Sequence, residues 1–209
     1  MYYEIATLPL NFGTGAQAAL AVQSFVNDDS AVGELLGCWM ADIGALNQML
    51  VLRGFDDLSA LHAERMRCLH SADPFQCSAY LAGPVCYDSY EGFAWQDPVR
   101  PSSESGIQGP VYEIRTYGIR PGGLQPTIDL WREYVPARQQ ISPCVVAMVA
   151  IDGVPRFTNI WAYASTDARA KARTLAVDQG IWPPRGGPAW LTTDMRSVIA
   201  LPAAISPLQ

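Results

Sequence analysis

Three polar side chains stand at alternate positions, Glu113, Arg115 and Tyr117, in the run Tyr112-Glu113-Ile114-Arg115-Thr116-Tyr117. Its β-branched and aromatic residues read as a strand, so these three share one face, and Tyr112, Ile114 and Thr116 share the other. A later run repeats the pattern: Phe157, Asn159, Trp161 and Tyr163 share a face, and Ile160, Ala162 and Ala164 share the other. Such a set could do carbonyl chemistry. Arg115 has the planar fork that holds an anionic or carbonyl group. Glu113 could act as a base if burial raised its pKa. Tyr117, Asn159 and Tyr163 could donate hydrogen bonds to a developing oxyanion. Glu4 and Arg53 are expected to join from the first half of the chain. The competing reading is structural: Glu113 and Arg115 neutralise each other, and the buried pair fixes strand register.

Other reactive side chains carry less. The only histidines, His62 and His70, are eight positions apart on one helical stretch, more than two turns along its axis. They read as solvated and not as metal ligands. The five cysteines have no close pair, so no zinc or redox motif of the Cys-x-x-Cys type exists. Reduced, mostly buried thiols of a cytoplasmic protein are the expectation. No cofactor is expected: the glycines after Arg120-Pro121 belong to no phosphate-loop pattern.

The elements that must position these residues come in two copies. Tyr3-Glu4-Ile5-Ala6-Thr7-Leu8 recurs 109 residues later as Tyr112 to Tyr117. A Gly-containing turn and a helical pattern follow each copy, from about Thr14 to Asn27 and from about Leu124 to Gln140. In the second, Ile128, Trp131 and Val135 form one apolar stripe. Two strand-like runs come next, Leu35 to Ala41 and Gln48 to Phe55 in the first half, Cys144 to Ile151 and Phe157 to Ala164 in the second. A further helix follows in each, capped by Asp56 or Asp57 in one half and by Ser165 or Thr166 in the other. Last strands are expected near Tyr87 to Ala94 and near Ser197 to Leu201. The order is β-α-β-β-α-β twice, so the fold class is α+β with two tandem ferredoxin-like domains, 1–95 and 110–209, joined by a Pro- and Ser-rich linker at 96–109. Trp182-Pro183-Pro184-Arg185-Gly186-Gly187-Pro188 reads as a rigid loop, with a proline-rich ligand for a partner domain as the alternative.

One such unit leaves a sheet face open to water. The run Val145-Val146-Ala147-Met148-Val149 is apolar on both faces, so exposure would create a patch larger than monomers usually carry. Packing the two units sheet to sheet as an α-β barrel removes it. The helices are then expected to take the more apolar strand faces. The polar set would point into the space between the sheets, and a ligand cavity would lie there.

Tyr112 to Tyr117 followed by Arg120-Pro121-Gly122, Asn159 to Ser165 followed by Asp167-Ala168-Arg169, and the closing Met195-Arg196-Ser197, Leu201-Pro202 and Ser206 to Gln209 resemble the motifs of the NIPSNAP family. The first half is similar more weakly, through Tyr3-Glu4-Ile5, Leu46-Asn47-Gln48 and Phe55-Asp56-Asp57-Leu58. The resemblance implies the dimeric α-β barrel fold, often in tandem, and little defined chemistry. The family's third strand commonly carries a His before a Leu-Trp pair. Here that place holds Asn159 and, in the first half, Val51. The Trp place of the first half holds Arg53, and its strand-one Arg is replaced by Ala6. Any acid–base role of that His is absent, and the two halves are expected to be asymmetric.

Charge narrows the partners. The net charge is −6, and the 14 basic residues, 13 Arg and Lys171, form no cluster. A nucleic-acid footprint has nothing to rest on. No run approaches the roughly 18 apolar residues of a membrane-spanning helix, so no membrane span is expected. The leading reading is a small hydrophobic ligand bound without catalysis, with a homodimer as the expected assembly. A cofactor-independent monooxygenase- or isomerase-like enzyme acting on a small carbonyl or aromatic compound is the alternative, and a self-assembly module is a third.

Overall fold

A computed structural model describes residues 1–93 and 109–209. The first half runs β1 (Tyr2–Pro9), α1 (Gly15–Val26), β2 (Glu34–Ile43), β3 (Gln48–Phe55), α2 (Leu58–His70) and β4 (Cys86–Gly92). The second runs β5 (Val111–Ile119), α3 (Leu124–Arg138), β6 (Cys144–Ala150), β7 (Arg156–Tyr163), α4 (Thr166–Asp178) and β8 (Leu191–Pro202). This is the duplicated βαββαβ order. The expected linker lies, but for Gly109, outside the described residues.

Asp57 and Ser165 are the caps. Each side chain accepts a hydrogen bond from the backbone N–H three residues on, which satisfies a donor that the first helical turn leaves free. The last strand is longer than the sequence suggests. It begins at Leu191, because Tyr117 to Ile119 of β5 continue to pair with Met195 to Leu191 across an irregularity.

The eight strands close on themselves in the order β1-β3-β2-β8-β5-β7-β6-β4, with β4 returning to β1. Within each half the order is that of a ferredoxin-like sheet. The halves are sewn together at β2–β8 and at β4–β6. Closure leaves neither sheet with a free edge.

Three apolar clusters fill the molecule. One draws on all eight strands and no helix: Tyr3, Leu36, Trp39, Leu52, Tyr90, Tyr112, Ile114, Met148, Ile160 and Ala200 are among its members. This is the barrel interior. The other two lie under the helices, one joining α1 and α2 to the first-half strands, the other joining α3 to the second-half strands around Trp131, Val135, Phe157 and Trp161. Val146 and Met148 of β6 face the interior while Cys144, Ala147 and Val149 face the helices, so this strand is buried on both faces as its composition demanded.

The expected assignment of faces is reversed. Tyr112, Ile114, Ile160 and Ala162 point into the barrel, and Glu113, Arg115, Tyr117, Asn159, Trp161 and Tyr163 point out beneath α3 and α4. The reason is solvation. A closed barrel interior has no route to water, so a charge there has no compensation. The layer beneath the helices has rims, through which Arg65, Arg67, Arg115, Arg169 and Arg173 reach inward while staying partly hydrated.

Among the described residues no helix is long and apolar enough to cross a membrane. All five cysteines are free, and Cys86 alone is exposed. His62 and His70 are both exposed on α2.

Candidate functional site

A cavity of about 250 Å³ lies between the outer face of β5–β7 and the helices α3 and α4. Its floor is the polar strand set, Glu113, Arg115 and Tyr117 of β5 with Asn159, Trp161 and Tyr163 of β7. Leu130 and Trp131 of α3 and Val177 of α4 form walls, and Trp182, Pro183 and Pro184 close one side. Six of the eight expected site residues are therefore brought together, on the helix side and not between the sheets.

Three tryptophans give the cavity its apolar character. Trp131 meets Trp182 edge to face at 4.8 Å between centroids and Trp161 at 6.1 Å. Trp131 also stands edge-on to Phe157 at 4.4 Å. These are the offset and perpendicular geometries that ring quadrupoles favour. The Trp161 indole N–H donates to Asn159 Oδ1 at 2.7 Å, and Asn159 Nδ2 donates to the Arg115 carbonyl at 3.3 Å. Asn159 thus locks two neighbours; these bonds use its amide for architecture. The chain also crosses Tyr163 closely. A Cβ at Gly109 would sit 1.9 Å from the Tyr163 carbonyl oxygen, so only glycine fits there.

Glu113 is the electrostatic centre, and its side chain is fully buried. Oε1 accepts from Arg115 at 2.6 Å, from Arg169 at 2.6 Å and from Ser197 Oγ at 2.9 Å. Oε2 accepts from the Tyr163 hydroxyl at 3.4 Å and lies 3.8 Å from Arg173. Burial alone would raise this carboxyl, but the Arg169 hydrogen bond and the Arg115 charge outweigh it and hold the pKa at about 2. The sequence reading required a raised value for Glu113 to act as a base. The shift has the opposite sign, so the carboxylate is ionised and weakly basic. Arg115 is also committed, since its Nε donates to the Tyr117 hydroxyl.

Glu4 and Arg53 do not join this site. They face each other across β1–β3 and pair beneath α2. Arg53 also pairs with Glu64, and Arg65 reaches Glu4 at 2.6 Å. The Arg53 guanidinium lies 4.9 Å from the centre of the Phe75 ring. The first half therefore fills with its own ion network and an aromatic plug the space that the second half leaves open.

Sequence reasoning missed Arg138 and Arg173, and read the Trp182 loop as a rigid loop or a proline-rich ligand for a partner domain, not as a cavity wall. Arg138 does carry a signal: it follows Trp131 by seven positions and Val135 by three, on the stripe of α3 that is otherwise core. Arg169 and Arg173 are four apart on α4, so one helix face presents both to Glu113. Among the described residues no group of His, Cys, Asp and Glu could hold a metal.

The arrangement defines a class: an α-β barrel of the dimeric type, with both barrel halves in one chain and a helix-side cavity in one of them. The NIPSNAP family profile matches residues 3–81 and 112–207, one segment in each half, and the chain belongs to that family. A curated relative, the NipSnap homolog of Dictyostelium discoideum, is 22% identical over 148 residues, which are 70% of this chain and 65% of that protein. The match thus spans just under two thirds of that relative's length. An anthrone oxidase-like protein of known structure superposes with a TM-score of 0.64 at 9% identity, covering 100% of this chain and 94% of its own. A Lactobacillus acidophilus protein provisionally described as a monooxygenase superposes with a TM-score of 0.61 at 11% identity, covering 98% of both chains. At these identities the likeness is one of fold.

Proposed function

We propose that the second half of this NIPSNAP protein binds a small hydrophobic ligand in its helix-side cavity, without catalysing a reaction on it. The observation that carries the reading is an aromatic cavity whose one carboxylate is already held by arginines. Trp131, Trp161 and Trp182 offer apolar surface at low entropic cost. Glu113, with its pKa lowered to about 2 and its Oε1 already accepting from Arg115, Arg169 and Ser197, is a weak base near neutral pH. An enzyme reading that uses Glu113 as its general base is weakened accordingly.

The size limits the ligand. Ligand pockets commonly run from roughly 300 to 1,000 Å³, and this cavity of about 250 Å³ falls just below that range. One or two rings, or a short branched chain, suit it.

A thermal-shift panel of single-ring and two-ring aromatic compounds tests the proposal, because a ligand bound to the folded state raises the melting temperature by mass action. The panel should contain compounds that stabilise the wild type and not Leu130→Trp, whose larger ring fills the space. Equal behaviour of the two proteins across the panel would remove the cavity as a binding site.

The barrel joins its own edges within one chain, so the expected homodimer would form through outer helices. A single monomeric mass by light scattering would eliminate it. Residence in the cytoplasm rests on the five free thiols.

A further inference from the structure

The cavity wall contains more positive charge than its own carboxylate balances. Arg115, Arg138 and Arg173 line it against Glu113 alone. Arg115 is satisfied by Glu113 and the Tyr117 hydroxyl. Arg138 is not matched in this way. It is 3% exposed, and its polar partners are the neutral Ser142 and Tyr163 hydroxyls. Its guanidinium lies 4.7 Å from the Trp161 ring centre. Among the described residues no carboxylate forms an ion pair with it. A buried guanidinium lacking a counter-ion is costly unless an anion completes its surroundings. Burial accordingly depresses its pKa, which is the direction expected of a cation without a matching charge.

Arg173 supplies a second cation. It stands 3.8 Å from Glu113 Oε2, too far for a hydrogen bond, and its side chain is 44% exposed. It is placed to exchange that long contact for a ligand anion, and its exposure puts it near the mouth, as does that of Met195.

We propose that the ligand is a carboxylate carried on a small aromatic or branched apolar body, with the body among Trp131, Trp161 and Trp182 and the anionic head at Arg138 and Arg173. This rests on the cavity being a ligand site. An arginine fork takes a carboxylate through two parallel hydrogen bonds, and the Trp161 face beneath Arg138 keeps the fork oriented.

Three probes of one shape separate the outcomes: 3-phenylpropanoate, 3-phenylpropanamide and 3-phenylpropylamine, titrated calorimetrically at neutral pH. The acid should bind at least about tenfold more tightly than the amide, the size expected of a charge-assisted pair in a desolvated site. Arg138→Gln should abolish that preference while leaving amide binding in place. Should that variant not fold, the half-exposed Arg173→Gln should reduce the acid-to-amide ratio by about threefold or more, as one of two cations is lost. Equal affinity for acid and amide overturns the carboxylate assignment and leaves the cavity a ligand site. Preference for the amine overturns it in favour of recognition by Glu113. No binding of any probe up to millimolar concentration overturns both readings.

Discussion

Arg53 and Trp161 occupy the same position in the two halves: each is the register partner of its half's buried glutamate, Arg53 of Glu4 and Trp161 of Glu113. At this matched position the filled half carries a guanidinium and the half with the cavity an indole. Arg53 extends to Glu64 and lies over Phe75, so the first half is sealed by charge and an aromatic ring. Trp161 turns its indole N–H to Asn159 and leaves its ring as a wall.

The sealed half should be intolerant of losing its cation. Arg53→Ala leaves Glu4 and Glu64 buried, with Arg65 and Arg67 as their remaining partners. The expected loss is about 3–5 kcal/mol of unfolding free energy, the usual consequence of removing one member of a buried ion pair. Urea unfolding followed by far-UV circular dichroism measures it, and a loss below about 1 kcal/mol would show that the network is a surface-like one.

Acid should weaken the protein through Glu113. Its folded pKa, near 2, lies below the ordinary carboxylate value. A depressed carboxyl contributes stability that is fully present above the unfolded pKa and is lost as pH falls through the folded one. The window is therefore from about pH 4.5 down to about pH 2, and the contribution is on the order of 3 kcal/mol. In Glu113→Gln that segment of the pH–stability curve should flatten. Parallel wild-type and variant curves would show that other carboxyls control acid unfolding.

The cavity wall should be mechanically important. Trp131 packs against Phe157, Trp161 and Trp182. Trp131→Ala should cost about 3–5 kcal/mol, since it removes a buried ring beside an existing void that cannot collapse easily. Thermal unfolding compared with Trp182→Ala, at the loop side of the same cluster, ranks the two. A larger loss for Trp182 would show that the loop and not α3 holds the wall.

Thiol reactivity should single out one residue. Cys86 is exposed, whereas Cys38, Cys68, Cys77 and Cys144 are buried. Burial pushes Cys38 and Cys77 up to about 12, so neither supplies thiolate at neutral pH. An aromatic disulfide reagent should therefore label one thiol per native chain, and Cys86→Ser should remove that phase. Rapid labelling of two or more thiols would mean that the helix layers open readily.

Much of the architecture is legible in the order of residues. The recurrence of Tyr-Glu-Ile, the caps Asp57 and Ser165 and the apolar run of β6 are local or periodic features, and backbone geometry turns them into elements directly. Register is legible too: Ala6 with Val51 and Arg115 with Asn159 occupy matching pairs in the two sheets. Alternation also sorted Glu113, Arg115 and Tyr117 from Tyr112, Ile114 and Thr116. It could not say which set faces inward, because a period of two is the same read from either face.

That choice belongs to tertiary structure. Only the closed barrel makes one face unreachable by water, and only the placement of α4 brings Arg169 and Arg173 to Glu113 from 56 and 60 positions away. The sequence by itself determined the duplication, the elements and the grouping of polar residues, since these depend on near neighbours along the chain. The fold alone decided that the group lies beneath helices, that Arg53 closes one half and that Trp161 opens the other, since burial and charge compensation are settled by atoms that meet only once the chain has folded.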